Sequence, residues 1–134
     1  MQKYSVDLSD DIQARRILIV EDDQEECKLI QKIIRDLWPG CLITACKSLA
    51  EAQRACKKNT FTLILVELNL PDSVGPSTVE EMRKCNEKAS MIVIAEFCTD
   101  MTEQEALKNG ADVVIKKSFL STDRFKGALR KYGK

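Results

Sequence analysis

Apolar positions along this chain fall into short continuous runs separated by longer stretches of helical period. Arg16–Val20, Cys41–Ala45, Leu63–Val66, Met91–Ala95 and Asp112–Ile115 are aliphatic and β-branched with little polar alternation, the pattern of strands buried on both faces. Between the first two, Cys27, Ile30, Ile34 and Leu37 recur at helical spacing, widened by Leu29 and Ile33, and the stripe stops before Pro39-Gly40. Ser48 and Glu51 predict a capping box for a second helix whose Leu49, Ala52, Ala55 and Cys56 face inward. Ser77 and Glu80 predict another, opening a helix that buries Val79 and Met82. A weaker helix runs from about Thr102 to Lys108 and closes at Asn109-Gly110. The last shows Phe125, Ala128, Leu129 and Tyr132 at i, i+3, i+4 and i+7; Gly127 inside it costs about 1 kcal/mol relative to Ala and predicts a frayed C-terminal half.

Strands alternating with helices require right-handed crossovers, hence a parallel sheet covered on both faces. At 134 residues the chain is long enough for one such core. Residues 1–14 lack sustained periodicity and read as an N-terminal tail, leaving 15–134 as the domain. Hydrophobic residues at 44% and charged residues at 31% argue against disorder, no apolar run is long enough to span a membrane, and the acidic, polar N-terminus does not read as a signal peptide. Six cysteines and no histidine form no C-x-x-C pair and no common zinc pattern, so they read as reduced structural thiols of a cytoplasmic protein, with a redox sensor as the alternative.

Formal net charge is zero but unevenly spread. Acids crowd the first strand's end, and bases dominate from Lys108 onward. The basic last helix reads as a solvated face with cations favoured by the helix dipole, or as a surface for an acidic partner or nucleic acid.

The central run Phe61–Pro76 organises the rest. Its strand stops at Glu67, and a loop punctuated by Pro71, Gly75 and Pro76 follows. In open α/β sheets, sites lie at the carboxyl ends of the strands, and the first and third strands are neighbours at the centre. Glu21, Asp22 and Glu67 are therefore expected together, with either a hard divalent cation or Lys117, from the end of the fifth strand, as counter-charge. A flavin or nucleotide site is set aside, because the loop Glu21-Asp22-Asp23-Gln24-Glu25 would repel phosphate.

Ile-Leu-Ile-Val-Glu-Asp-Asp at the first strand, Leu-Asn-Leu-Pro-Asp-Ser-Val-Gly after the third, Lys-Asn-Gly-Ala-Asp before the fifth and Lys117 after it stand in one order over almost the whole chain. Residues from about Arg16 to Tyr132 resemble the receiver domain of bacterial two-component response regulators. The resemblance implies a doubly wound (βα)5, flavodoxin-like or CheY-like three-layer sandwich with a five-stranded parallel sheet in the order 2-1-3-4-5. It also implies Mg2+ held by Glu21, Asp22 and the backbone carbonyl of Asn69, and phosphoryl transfer from a histidine kinase to an aspartate at position 67.

Here position 67 is glutamate, and the family's switch Ser/Thr and switch aromatic map to Ala95 and Val114. The proline after the lysine maps to Ser118, which makes a cis bond unexpected there. A carboxylate carried about 1.5 Å further by the extra methylene could pair directly with Lys117, and in-line phosphoryl transfer depends on positioning. The expectation is a non-enzymatic pseudo-receiver of two-component or phosphorelay signal transduction, with Mg2+ weak or absent. The alternative is a working receiver that is phosphorylated on Glu67 or a nearby acid such as Asp72, with Mg2+. With no output domain, the chain is expected to act by protein–protein interaction. The partner would be a histidine kinase, a phosphotransfer protein, a downstream effector or a second copy; no recognition motif supports nucleic acid. The resemblance places the partner face on the fourth helix, fifth strand and fifth helix, here carrying Lys116, Arg124, Lys126 and Arg130.

Overall fold

The computed structural model describes residues 15–133; the expected N-terminal tail lies outside them. Strands β1 (Arg16–Val20), β2 (Leu42–Cys46), β3 (Leu63–Glu67), β4 (Ser90–Ala95) and β5 (Val113–Lys116) form one parallel sheet in the order β2-β1-β3-β4-β5. Helices α1 (Gln24–Leu37), α2 (Leu49–Lys58), α3 (Ser77–Cys85), α4 (Asp100–Lys108) and α5 (Asp123–Tyr132) follow the strands in turn. This is the doubly wound order that the resemblance to receiver domains implies.

Strand alternation divides the core into two layers. Leu18, Val20, Ile64, Val66, Met91 and Val93 face Leu49 and Ala52 of α2, Val79 and Met82 of α3, and Ala106 of α4. Ile17, Ile19, Leu63, Leu65, Ile92 and Ile94 face Ile30 and Ile34 of α1 and Phe125 and Leu129 of α5. Both layers are apolar because a central parallel strand has no solvent side.

Several boundaries depart from the sequence reading. β2 starts and ends one residue later than expected, because Leu42 N–H bonds Arg15 O and sets the register Arg16↔Leu42. β5 is likewise shifted by one, to Val113–Lys116. α4 begins at Asp100, two residues early, because the Thr99 hydroxyl accepts from Thr102 N–H and caps it. The Ser77–Glu80 capping box does not form. Pro76 occupies the cap position, Gly75 makes the turn at φ 80°, and the Ser77 hydroxyl donates back to Val74 O. α2 carries the first half of its predicted box, Ser48 accepting from Glu51 N–H, while the Glu51 carboxylate accepts from Lys47 N–H, one residue before the cap. α5 runs on to Tyr132 despite Gly127, held where Arg15 donates to Gly133 O at 3.2 Å and stacks on Trp38 at 4.3 Å.

Candidate functional site

Three of the strand-end residues converge. Glu21 follows β1, Glu67 ends β3 and Lys117 follows β5, so the sheet order itself brings their side chains to one edge. Lys117 Nζ lies 3.1 Å from Glu21 Oε1 and 3.4 Å from Glu67 Oε1. The remaining carboxylate oxygens accept from backbone: Glu21 Oε2 from Asp23 N–H and Glu67 Oε2 from Leu68 N–H. Both carboxyls are buried, at 3% and 6% exposure, and the ammonium is largely buried with them.

Asp22 does not complete the expected acidic triad. Its side chain is solvent-exposed beside the pair, and its charge reaches Glu21 only across the rim. Asp23 is committed elsewhere: one of its oxygens accepts from Glu25 and Glu26 N–H as the cap of α1. Asn69, also exposed, pairs antiparallel with Val74 in a two-residue ladder. Asp72 stands in the turn between Leu70 and Ser73, and its carboxylate reaches α2. Its two oxygens accept from Leu49 N–H at 2.8 Å and Ala50 N–H at 3.0 Å, holding the start of α2 onto the β3–α3 loop. Those backbone bonds pull the Asp72 carboxyl below its ordinary range.

Among the described residues no three Asp, Glu, Cys or His side chains stand close enough to share a metal ion. The position between the two buried carboxylates is held by the Lys117 ammonium.

One ammonium neutralises one carboxylate, and two are present. Burial therefore raises the Glu67 carboxyl to about 7, against the attraction of Lys117 and with the help of the Glu21 charge. Burial also raises Glu21. Burial alone would lower Lys117, but hydrogen bonds and charge from Glu21 and Glu67 outweigh it and hold the ammonium above its ordinary value.

The unfolded chain ionises Glu67 near 4.5, whereas the folded protein holds the proton to about 7. The stability contributed by this group is thus full below pH 4.5 and is lost as pH rises through about 7. Melts of the wild type should show a Tm that falls across that window. Glu67→Gln, which cannot ionise, should flatten the fall; parallel profiles for the two proteins would refute the assignment.

The degenerate positions are filled by packing. Ala95 and Val114 are buried in the layer shared with α3 and α4, and neither carries a group able to hydrogen-bond toward the strand ends. Every peptide bond among the described residues is trans, including that after Lys117. Lys116 and Arg124 are exposed and line a shallow cleft of about 280 Å3 with Cys98, Glu103, Val114 and Phe119; Arg130 is exposed and Lys126 half-buried on α5. Sequence reading missed Phe97, 85% exposed two residues after β4 ends, and Met101, 71% exposed in the first turn of α4.

A model of the response regulator receiver domain matches residues 17–130. The chain belongs to that family. The transcriptional regulatory protein ZraR of Salmonella typhimurium is 30% identical over 116 residues, which cover 86% of this chain and 25% of that protein. A response regulator receiver protein of Anaeromyxobacter is 27% identical over 77% of this chain and 42% of its own length. The chain thus spans about a quarter of the length of the first of these curated relatives. Among solved structures, a signal receiver domain of an HD domain-containing protein from Pseudomonas fluorescens superimposes with a TM-score of 0.79 at 15% identity, covering 90% of this chain and 87% of that one. The phosphorylated cyanobacterial phytochrome response regulator RcpA gives 0.77 at 18%, covering 88% and 93%. These likenesses establish the fold. The protein is a receiver domain of two-component signalling, a family of signalling modules rather than of metabolic catalysts. Among the described residues no helix is long and apolar enough to cross a membrane.

Proposed function

We propose that this receiver domain is a phosphorylation-independent pseudo-receiver that signals in the cytoplasm through protein–protein contacts. What carries the reading is the ion pair at the strand ends. Lys117 is already engaged with the carboxylate at position 67, and with Glu21, in the resting protein. A receiver that works by phosphorylation needs a carboxylate placed for in-line attack and a lysine to meet the incoming phosphoryl oxygens. Here the two satisfy each other. Ala95 and Val114 support the same reading, since neither supplies a hydroxyl or an aromatic ring that could respond to a new anion.

Partner contact falls on α4, β5 and α5. The exposed bases Lys116, Arg124 and Arg130 on that face suit an acidic partner segment, and the exposed Phe97 and Met101 add apolar area beside them. Arg124 already lies over the Phe119 ring at 5.4 Å, so an aromatic and a cation are presented together.

The purified protein incubated with Mg2+ and acetyl phosphate should keep its intact mass, while an ordinary receiver treated in parallel gains a phosphoryl group. A phosphoryl adduct on this protein would overturn the reading in favour of a working phosphorelay receiver, and peptide mapping would then say whether Glu67 or another acid bears it. Asp72 is disfavoured as that acid, because both its oxygens cap α2.

A further inference from the structure

The six cysteines are free thiols, but they are not equivalent. Cys56, in the last turn of α2, and Cys85, the last residue of α3, lie on helices that follow the same side of the sheet. Both line a cleft of about 510 Å3 with Gln53, Lys57, Glu81 and Lys84. Both also line the neighbouring cleft of about 350 Å3 that continues toward Asn59 and Lys88. Each is half-buried, so a small reagent can reach them from the open side of either cleft.

We infer that Cys56 and Cys85 form a dithiol site that closes to an α2–α3 disulfide on exchange with a low-molecular-weight disulfide such as oxidised glutathione. The Cys85 thiolate attacks one sulfur of the reagent, breaking its S–S bond and releasing one glutathione thiolate. The Cys56 thiolate then attacks the Cys85 sulfur of the mixed disulfide and releases the second. Two protein thiols lose two protons and two electrons, and one glutathione disulfide becomes two glutathione molecules.

The local electrostatics set the character of the bond. Burial, followed by the adjacent Cys85, pushes the Cys56 thiol up to about 11. Burial and Glu81 raise Cys85, with the Cys56 hydrogen bond and Lys57 acting the other way. Neither thiolate is stabilised, so exchange is slow at neutral pH. For the same reason the reduced form has no thiolate advantage over the oxidised one, and the disulfide, once made, resists reduction. The cross-link would close a loop that contains β3, Glu67 and the β3–α3 segment. Asp72 already ties that segment to the start of α2; the disulfide ties the far end of α2 to α3.

The full chain should be incubated with oxidised glutathione at mildly alkaline pH, the remaining thiols blocked with maleimide and the peptides mapped. The expected product has lost two hydrogens, joins Cys56 to Cys85 and melts about 5–10 °C higher than the reduced protein. Cys56→Ser and Cys85→Ser should each stop at a single glutathione adduct. Because Cys27 and Cys46 share a separate cavity of about 300 Å3, they serve as the internal comparison. A bond joining any other pair, or stable glutathione adducts on the wild type, would overturn the inference without reference to the variants.

Discussion

Lys117→Met should cost about 3–5 kcal/mol of folding stability at pH 8, the range for removing one partner of a buried ion pair and stranding the other. Among the described residues Lys117 is the one cation paired with either buried carboxylate, and it serves both. Methionine keeps most of the length of the side chain and none of its charge. Against a domain stability of about 5–15 kcal/mol, a loss of that size puts the fold near its limit. The pH dependence makes the prediction specific. Without the ammonium, both carboxyls, already raised by burial, are pushed higher still and can be buried only as neutral acids. Stability of the variant should therefore be largely recovered at pH 5 and lost steeply as pH rises, because the unfolded chain ionises first. Denaturant titrations of both proteins at the two pH values measure this directly. An equal loss at both would mean that Lys117 contributes by packing alone, and the ion-pair account of the pocket would fall. Lys117→Arg should keep most of the stability at pH 8.

This pocket was legible in the sequence to the extent that it follows from topology. Continuous aliphatic runs identify the strands, the resemblance to receiver domains orders them, and strand ends then place Glu21, Glu67 and Lys117 at one edge. The limit came where a side chain's direction matters. Asp22 and Glu21 are adjacent in the chain, yet only Glu21 turns inward, and no local pattern distinguishes them. The structure shows Lys117 between the two buried carboxyls, with Asp22 turned to solvent.

The other misreadings share one cause, that partners distant in sequence outcompete local signals. Ser77 and Glu80 have the spacing of a capping box, but the turn at Gly75-Pro76 carries the chain into α3 before Ser77 can cap it. Asp72 stands in a turn, as its residue type suggests, but its carboxylate also caps a helix that begins 23 residues earlier. Local periodicity finds elements, but it does not find bonds that span them.

Arg83→Ala should cost about 3 kcal/mol, although nothing in the sequence sets Arg83 apart from other helix-face bases. Its guanidinium is the joint between α3 and the two loops that feed β4 and β5. Nε and Nη2 donate to Gly110 O at 3.0 and 2.8 Å. Nη1 donates to the carbonyls of Asn86, Glu87 and Ala89. Asp112, 3.7 Å from Nη2, accepts from Met91 N–H and so links the guanidinium to the first pairing of β4. Truncation leaves the half-buried Gly110 and buried Ala89 carbonyls short of donors, and an unmet buried acceptor costs about 1–3 kcal/mol. Lysine cannot substitute for the fork, because one ammonium on a flexible stem cannot span both loops, so Arg83→Lys should recover less than half of the loss. Urea unfolding should show the midpoint falling with an unchanged slope, the sign that the native state rather than the denatured chain is affected. If Arg83→Lys were as stable as the wild type, charge toward Asp112 would be the operative contribution and the carbonyl bonds incidental.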